Sequence, residues 1–204
     1  MNTRFTLANI ILLPSVQHIV GIVNIEWLKE KNLITEQPIQ TFSIPGISVL
    51  TFNSYNIIVN DERLQIATNK EKPEYLKTIA KVVKEYVNST SSLPFKALGF
   101  NFHFIAETGE NKNKPDISII HSLVDNMAEL LPGHQLKYGA IIDAEKDDYL
   151  LQIKINPERN EIIQYSYNFH IELSEKEHEK IFRNLDQIMT YYTIAKEFTQ
   201  KTSG

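Results

Sequence analysis

Apolar and polar side chains alternate strictly toward the end of this chain. Tyr165, Tyr167, Phe169, Ile171 and Leu173 fall on one side, and Gln164, Ser166, Asn168, His170 and Glu172 on the other. A period of two marks a strand with one buried face, so Ile162 to Leu173 reads as a strand. A near copy of its centre occurs earlier: Phe100-Asn101-Phe102-His103-Phe104 against Tyr167-Asn168-Phe169-His170-Ile171. Phe95 to Ala106 therefore reads as a second strand of the same kind. Phe5 to Leu13 forms another, closed by Pro14-Ser15, and Val16 to Val23 is apolar and β-branched enough to be extended. Ile47 to Thr68 divides into a three-stranded meander of Val49 to Phe52, Tyr55 to Val59 and Arg63 to Thr68. Its turns fall at Asn53-Ser54 and Asn60-Asp61-Glu62, with Pro38 and Pro45-Gly46 punctuating the approach. Tyr138 to Asp143 and Tyr149 to Asn156 precede the last strand, with turns at Ala144 to Asp148 and Pro157 to Asn160.

Helical periodicity takes over in four places. Asn24 can cap a short helix carrying Ile25, Trp27 and Leu28. Pro73 opens a helix over 73–87 whose stripe is Leu76, Ile79, Ala80, Val83, Tyr86 and Val87, ended by Asn88 to Ser92 and Pro94. Asp116 caps a third, with Ile120, Leu123, Val124, Met127 and Leu131 on one face and Pro132-Gly133 as its stop. Ser174 and Glu177 form a capping box before one long helix bearing Ile181, Phe182, Leu185, Ile188, Met189, Tyr192 and Ala195. Of Tyr191 and Tyr192, one is expected to face solvent or a partner.

The order predicts an α+β fold, an antiparallel sheet or sheets with helices packed on one face. It also suggests two duplicated β-α-β-β-β-α units, 1–93 and 94–204, sharing one compact unit. This order resembles that of duplicated TATA-binding-protein-like folds, and the resemblance implies a curved antiparallel sheet with helices on one side. Fold analogy of this kind carries no function.

Composition narrows the classes. The 204 residues include no cysteine, which excludes disulfides, thiolate metal sites and a cysteine nucleophile. The apolar run Ile10 to Leu13 stops at Pro14, far short of the roughly 20 residues of a spanning helix. The first residues lack the pattern of an export leader, so a cytoplasmic protein without membrane contact is expected. Net charge is −4, unevenly spread: residues 1–96 carry 10 Lys/Arg and 8 Asp/Glu, and residues 97–204 carry 11 and 17. Nucleic-acid binding is disfavoured by that balance.

Candidate chemistry gathers on the polar rungs of the two matching strands: Asn101, His103, Asn168, His170 and Glu172. Two imidazoles and a carboxylate are enough for a metal site or proton transfer if they converge. The plainer reading is the wet face of an antiparallel sheet. Lys77, Lys81 and Lys84, near Lys70 and Lys72, make the helix over 73–87 basic, a face for phosphates or an acidic partner or simply a solvated surface. His121 and Asp125 are one helical turn apart, a pair without a third ligand. The acidic stretch Asp143 to Asp148 lacks the glycine and closing glutamate of a calcium loop and reads as an exposed hairpin tip. His178 reads as a packed or capping residue, and the strand aromatics as core.

No glycine-rich phosphate loop, nucleophile elbow or His-Glu-x-x-His motif occurs, and no cofactor is implied. The expected function is a non-enzymatic binding or assembly protein. It would engage a protein partner or a second copy through the uncovered sheet face or an edge strand such as Phe5 to Leu13. The alternatives are an enzyme or metal-dependent site around His103 and His170, and nucleic-acid binding through the sheet face or the lysine-rich helix.

Overall fold

The computed structural model describes residues 2–17, 20–34, 36–107, 139–146, 148–158, 162–174 and 177–203. The third helix expected from the sequence, with His121 and Asp125, lies outside these residues.

Among the described residues, nine strands form one antiparallel sheet: β1 (Asn2–Pro14), β2 (Gln40–Ile44), β3 (Ile47–Thr51), β4 (Asn56–Asn60), β5 (Arg63–Thr68), β6 (Phe95–Glu107), β7 (Ala140–Lys146), β8 (Tyr149–Pro157) and β9 (Ile162–Glu172). Their spatial order is β2-β3-β4-β5-β1-β6-β9-β8-β7. The α+β class with helices over an antiparallel sheet follows directly. The expectation that Phe5 to Leu13 is an edge does not hold. β1 pairs with β5 on one side and β6 on the other, in the middle of the sheet. Its composition explains this. Ala8, Ile10 and Leu12 face the core, while Leu7, Ile11 and Leu13 keep the opposite face apolar too, so the run is greasy on both sides. Among the described strands, the outer two are β2 and β7.

β2 is the strand that sequence reading missed. All five of its residues are exposed, so no buried alternation announces it. What makes it is the hairpin: Ile44 pairs with Ile47 across Pro45-Gly46. Gly46 at φ +84 supplies the left-handed residue that a proline-initiated tight turn needs. The first half thus follows its short helix with four strands, β2 to β5, while β7 to β9 are three. The halves do not match strand for strand among the described residues. Val16 to Val23 is not an extended run either. Val20–Ile22 is a single 3-10 turn, with Val20 and Val23 buried.

The two matching strands are neighbours. Asn101 of β6 lies opposite Asn168 of β9, Phe102 opposite Tyr167, and Phe100 opposite Phe169. Antiparallel pairing about the asparagines lets each strand point its aromatics to one face. Helices cover that face: α1 (Ile25–Glu30), α2 (Pro73–Ser89), α3 (His178–Asp186) and α4 (Ile188–Ser203). Asn24 caps α1, its side-chain oxygen accepting from the Trp27 N–H at 2.9 Å. α2 packs on β1 and β5, and α4 on β1, β6 and β9.

The expected single long helix is two helices. The chain turns tightly at Gln187, whose N–H reaches the Asn184 and Leu185 carbonyls. The turn brings Asn184 under Tyr191, which donates its hydroxyl to the Asn184 side-chain oxygen. Neither tyrosine faces solvent. Tyr191 and Tyr192 are both buried, with ring centroids 4.7 Å from Phe169 and 6.0 Å from Phe102 respectively. Tyr192 donates to Glu71 at 2.6 Å, and Lys196 pairs with the same carboxylate at 2.8 Å. That link ties the approach to α2 onto α4. Glu71 is held below the usual carboxylate range, mainly by Lys196.

Candidate functional site

The face that no described helix covers is organised by register into rows that cross the strands. The most regular row runs Asn9, Asn101, Asn168, Gln152, Asp143 over β1, β6, β9, β8 and β7. Its two central amides donate toward Asn9. Asn168 Nδ2 donates to Asn101 Oδ1 at 2.6 Å, and Asn101 Nδ2 donates to Asn9 Oδ1 at 2.8 Å. Further out, Gln152 Nε2 donates to Asp143 Oδ1 at 3.0 Å. Side-chain amides carry both a donor and an acceptor, so a row of them can satisfy itself along a pleated surface where a row of carboxylates would repel.

Past Ala67, on the other side of β1, the row continues to Asn56. The Asn56 side-chain oxygen is buried without a hydrogen-bond partner. It borders a shallow depression of about 250 Å3 lined by Leu7, Thr51, Asn53, Asn56 and Asn69.

The register also settles where the two histidines stand. His103 lies opposite Ser166, and His170 opposite Gly99. Four residues of β9 therefore separate the two imidazole positions, about 13 Å along the strands at about 3.3 Å per residue. The sheet brings Asn101 and Asn168 together and keeps His103 and His170 apart, with the asparagine pair between them. Glu172 is exposed, one rung beyond His170. Among the described residues, no group of three His, Asp or Glu is arranged to hold a metal ion.

His103 Nδ1 meets Ser166 Oγ at 3.0 Å, and burial holds the imidazole below the ordinary histidine value. A hydroxyl against a neutral imidazole is the first element of a nucleophile and base. The row on either side supplies Leu7 and Lys154, not the orienting carboxylate of a triad.

Beyond the amides the face changes character. On β2 to β4 it presents Phe42, Ile44, Ile47, Val49 and Ile58, cross-strand neighbours on three adjacent strands. Phe42 and Ile44 remain 46% and 51% exposed. The lysine-rich helix named from the sequence lies elsewhere. Lys77 and Lys81 are exposed on α2, whereas Lys84 pairs with Asp186 at 3.4 Å and lies over the Phe182 ring. Glu74 and Glu85 share that helix, so its outer surface is mixed in charge. His178 bonds the Leu93 carbonyl at 3.2 Å and packs by Phe95.

Sequence reading missed Asn9, Gly99, Gln152 and the β2 edge as parts of this surface. Asn9 had a signal, since it is the lone polar residue inside Ala8 to Leu13. Gly99 and β2 had none that periodicity could carry. No helix among the described residues is long and apolar enough to cross a membrane. Comparison with protein-family models gives no match to this chain, and neither does comparison with curated proteins.

Proposed function

We propose that this chain is a non-enzymatic assembly module that binds a second copy of itself by extending its sheet at β2. The observation that carries the reading is the state of that edge. β2 is wholly exposed and carries no charged residue. It shows two large apolar side chains on the same face as Ile47, Val49 and Ile58. An outer strand offers a row of unpaired N–H and C=O groups, and an apolar patch beside it supplies the affinity that hydrogen bonds alone do not.

A second copy fits better than an unrelated partner because the strand complements itself. In antiparallel pairing about Phe42, Gln40 meets the partner's Ile44 and Phe42 meets its own equivalent, so no like charges oppose. Such a contact is isologous and closes as a dimer. The patch is on the order of a few hundred Å2, below the about 800 Å2 per partner of a standard interface. A dissociation constant in about the micromolar range is therefore expected.

Sedimentation velocity across that range tests the reading. The wild type should pass from monomer to dimer, and Phe42→Asp should remain a monomer with unchanged thermal unfolding. A wild type that stays monomeric throughout would remove the proposal.

A further inference from the structure

Gly99 sits inside β6, a 13-residue strand in the middle of the sheet. A strand interior is where glycine serves worst, because it orders a free backbone and packs nothing. Two structural reasons usually explain such a glycine, and neither applies. Its backbone is not in the left-handed region, and a Cβ placed on it would meet nothing nearer than 3.8 Å. An alanine therefore fits. What remains is a third reason, the close approach of a group that is not among the described residues.

The atoms around the notch state what that something is. The two nearest are Asn168 Nδ2 at 3.8 Å and Asn101 Nδ2 at 4.0 Å from the missing Cβ. Each nitrogen spends one hydrogen on the amide row, Asn168 toward Asn101 and Asn101 toward Asn9. An amide nitrogen carries two hydrogens, so one on each remains beside the notch. His170 and Ile11 flank Gly99 across the strands. The place is thus room for a methyl group on the strand surface, with two amide nitrogens beside it.

We propose that the Gly99 notch is a binding subsite for a planar oxygen acceptor, a carboxylate or an amide carbonyl, that receives the free N–H of both Asn101 and Asn168. The subsite is in the middle of the face that no described helix covers and does not depend on the β2 contact.

Acetate and N-methylacetamide separate the two sources of that oxygen. In the full-length protein, the side-chain NH2 resonances of Asn101 and Asn168 should shift saturably with at least one probe, at about millimolar dissociation constants. Saturation with acetate alone assigns a carboxylate, with N-methylacetamide alone an amide carbonyl, and with both a general acceptor site. Gly99→Ala should keep the backbone spectrum of the folded protein and weaken the saturable binding by about tenfold or more. Should that variant fail to fold, Asn168→Ala removes one donor and must weaken binding likewise. Absence of saturation below about 100 mM, drifts no larger than those of exposed Asn53 and Asn69, or undiminished affinity in the variant would each overturn the proposal.

Discussion

The two outer strands of the sheet are built differently. β7 carries Asp143, Glu145 and Lys146 along its length, and its exposed isoleucines, Ile141 and Ile142, point to opposite faces. β2 carries no charge and puts Phe42 and Ile44 on one face beside further apolar neighbours. Charges on an edge strand are the usual device against unwanted pairing. One edge has that device and the other does not. The proposed contact therefore falls at β2, and the same comparison ranks the tests.

The largest effect belongs to the covered face and calibrates the rest. Phe169 is fully buried against Tyr191, so Phe169→Ala should cost about 3–5 kcal/mol in denaturant unfolding. Phe42→Ala, with a ring half exposed, should leave the unfolding free energy within about 0.5 kcal/mol of wild type. A comparable loss from both would mean that β2 supports the fold rather than a contact.

Removing the acidic charges from β7 should make the two edges more alike. Asp143→Val with Glu145→Val is expected to yield species larger than a dimer, seen by light scattering, because a second open edge allows chains to add at both ends. A variant with the wild-type size distribution would show that the charges do not guard β7.

Smaller effects come from the middle of the face that no described helix covers. Gly99→Ala should raise stability by about 0.5–1 kcal/mol, as an alanine does where its Cβ has room. The pH dependence of His103 is subtler. Burial lowers its folded pKa from 6.5, so the folded state binds the proton less tightly than the unfolded chain. Its contribution to stability is complete above 6.5 and is lost as the pH falls from there toward the lower folded value. His103→Asn should flatten the decline in urea midpoint over that window relative to wild type. An identical decline in both proteins would assign the effect to other groups.

The legibility of this molecule followed burial. Strands with one face in the core, such as β6 and β9, announced themselves through alternation, and their shared Asn-Phe-His pattern turned out to mark direct neighbours. β1 was recognisable as a strand but misplaced at the edge, because pairing partners on both sides leave only a diffuse signal, apolar residues on both faces. β2 left no signal, since a strand with nothing buried has no period to detect. The break at Gln187 was also silent in the apolar stripe, which runs on through both helices. It rests on Asn184, a buried polar residue whose partner Tyr191 comes seven positions later. At the candidate site, polar rungs could be named from sequence, but register decided which of them meet. It joined Asn101 to Asn168 and added Asn9, and it set His103 against Ser166 instead of His170.

Amide hydrogen exchange of β2 and β7 in one sample, at protein concentrations below and above the expected dissociation constant, tests the central claim most directly. Protection of Gln40 to Ile44 should rise with concentration while that of Ala140 to Lys146 stays constant. Protection at β2 independent of concentration, or rising equally at both edges, would contradict a contact built on the unguarded strand.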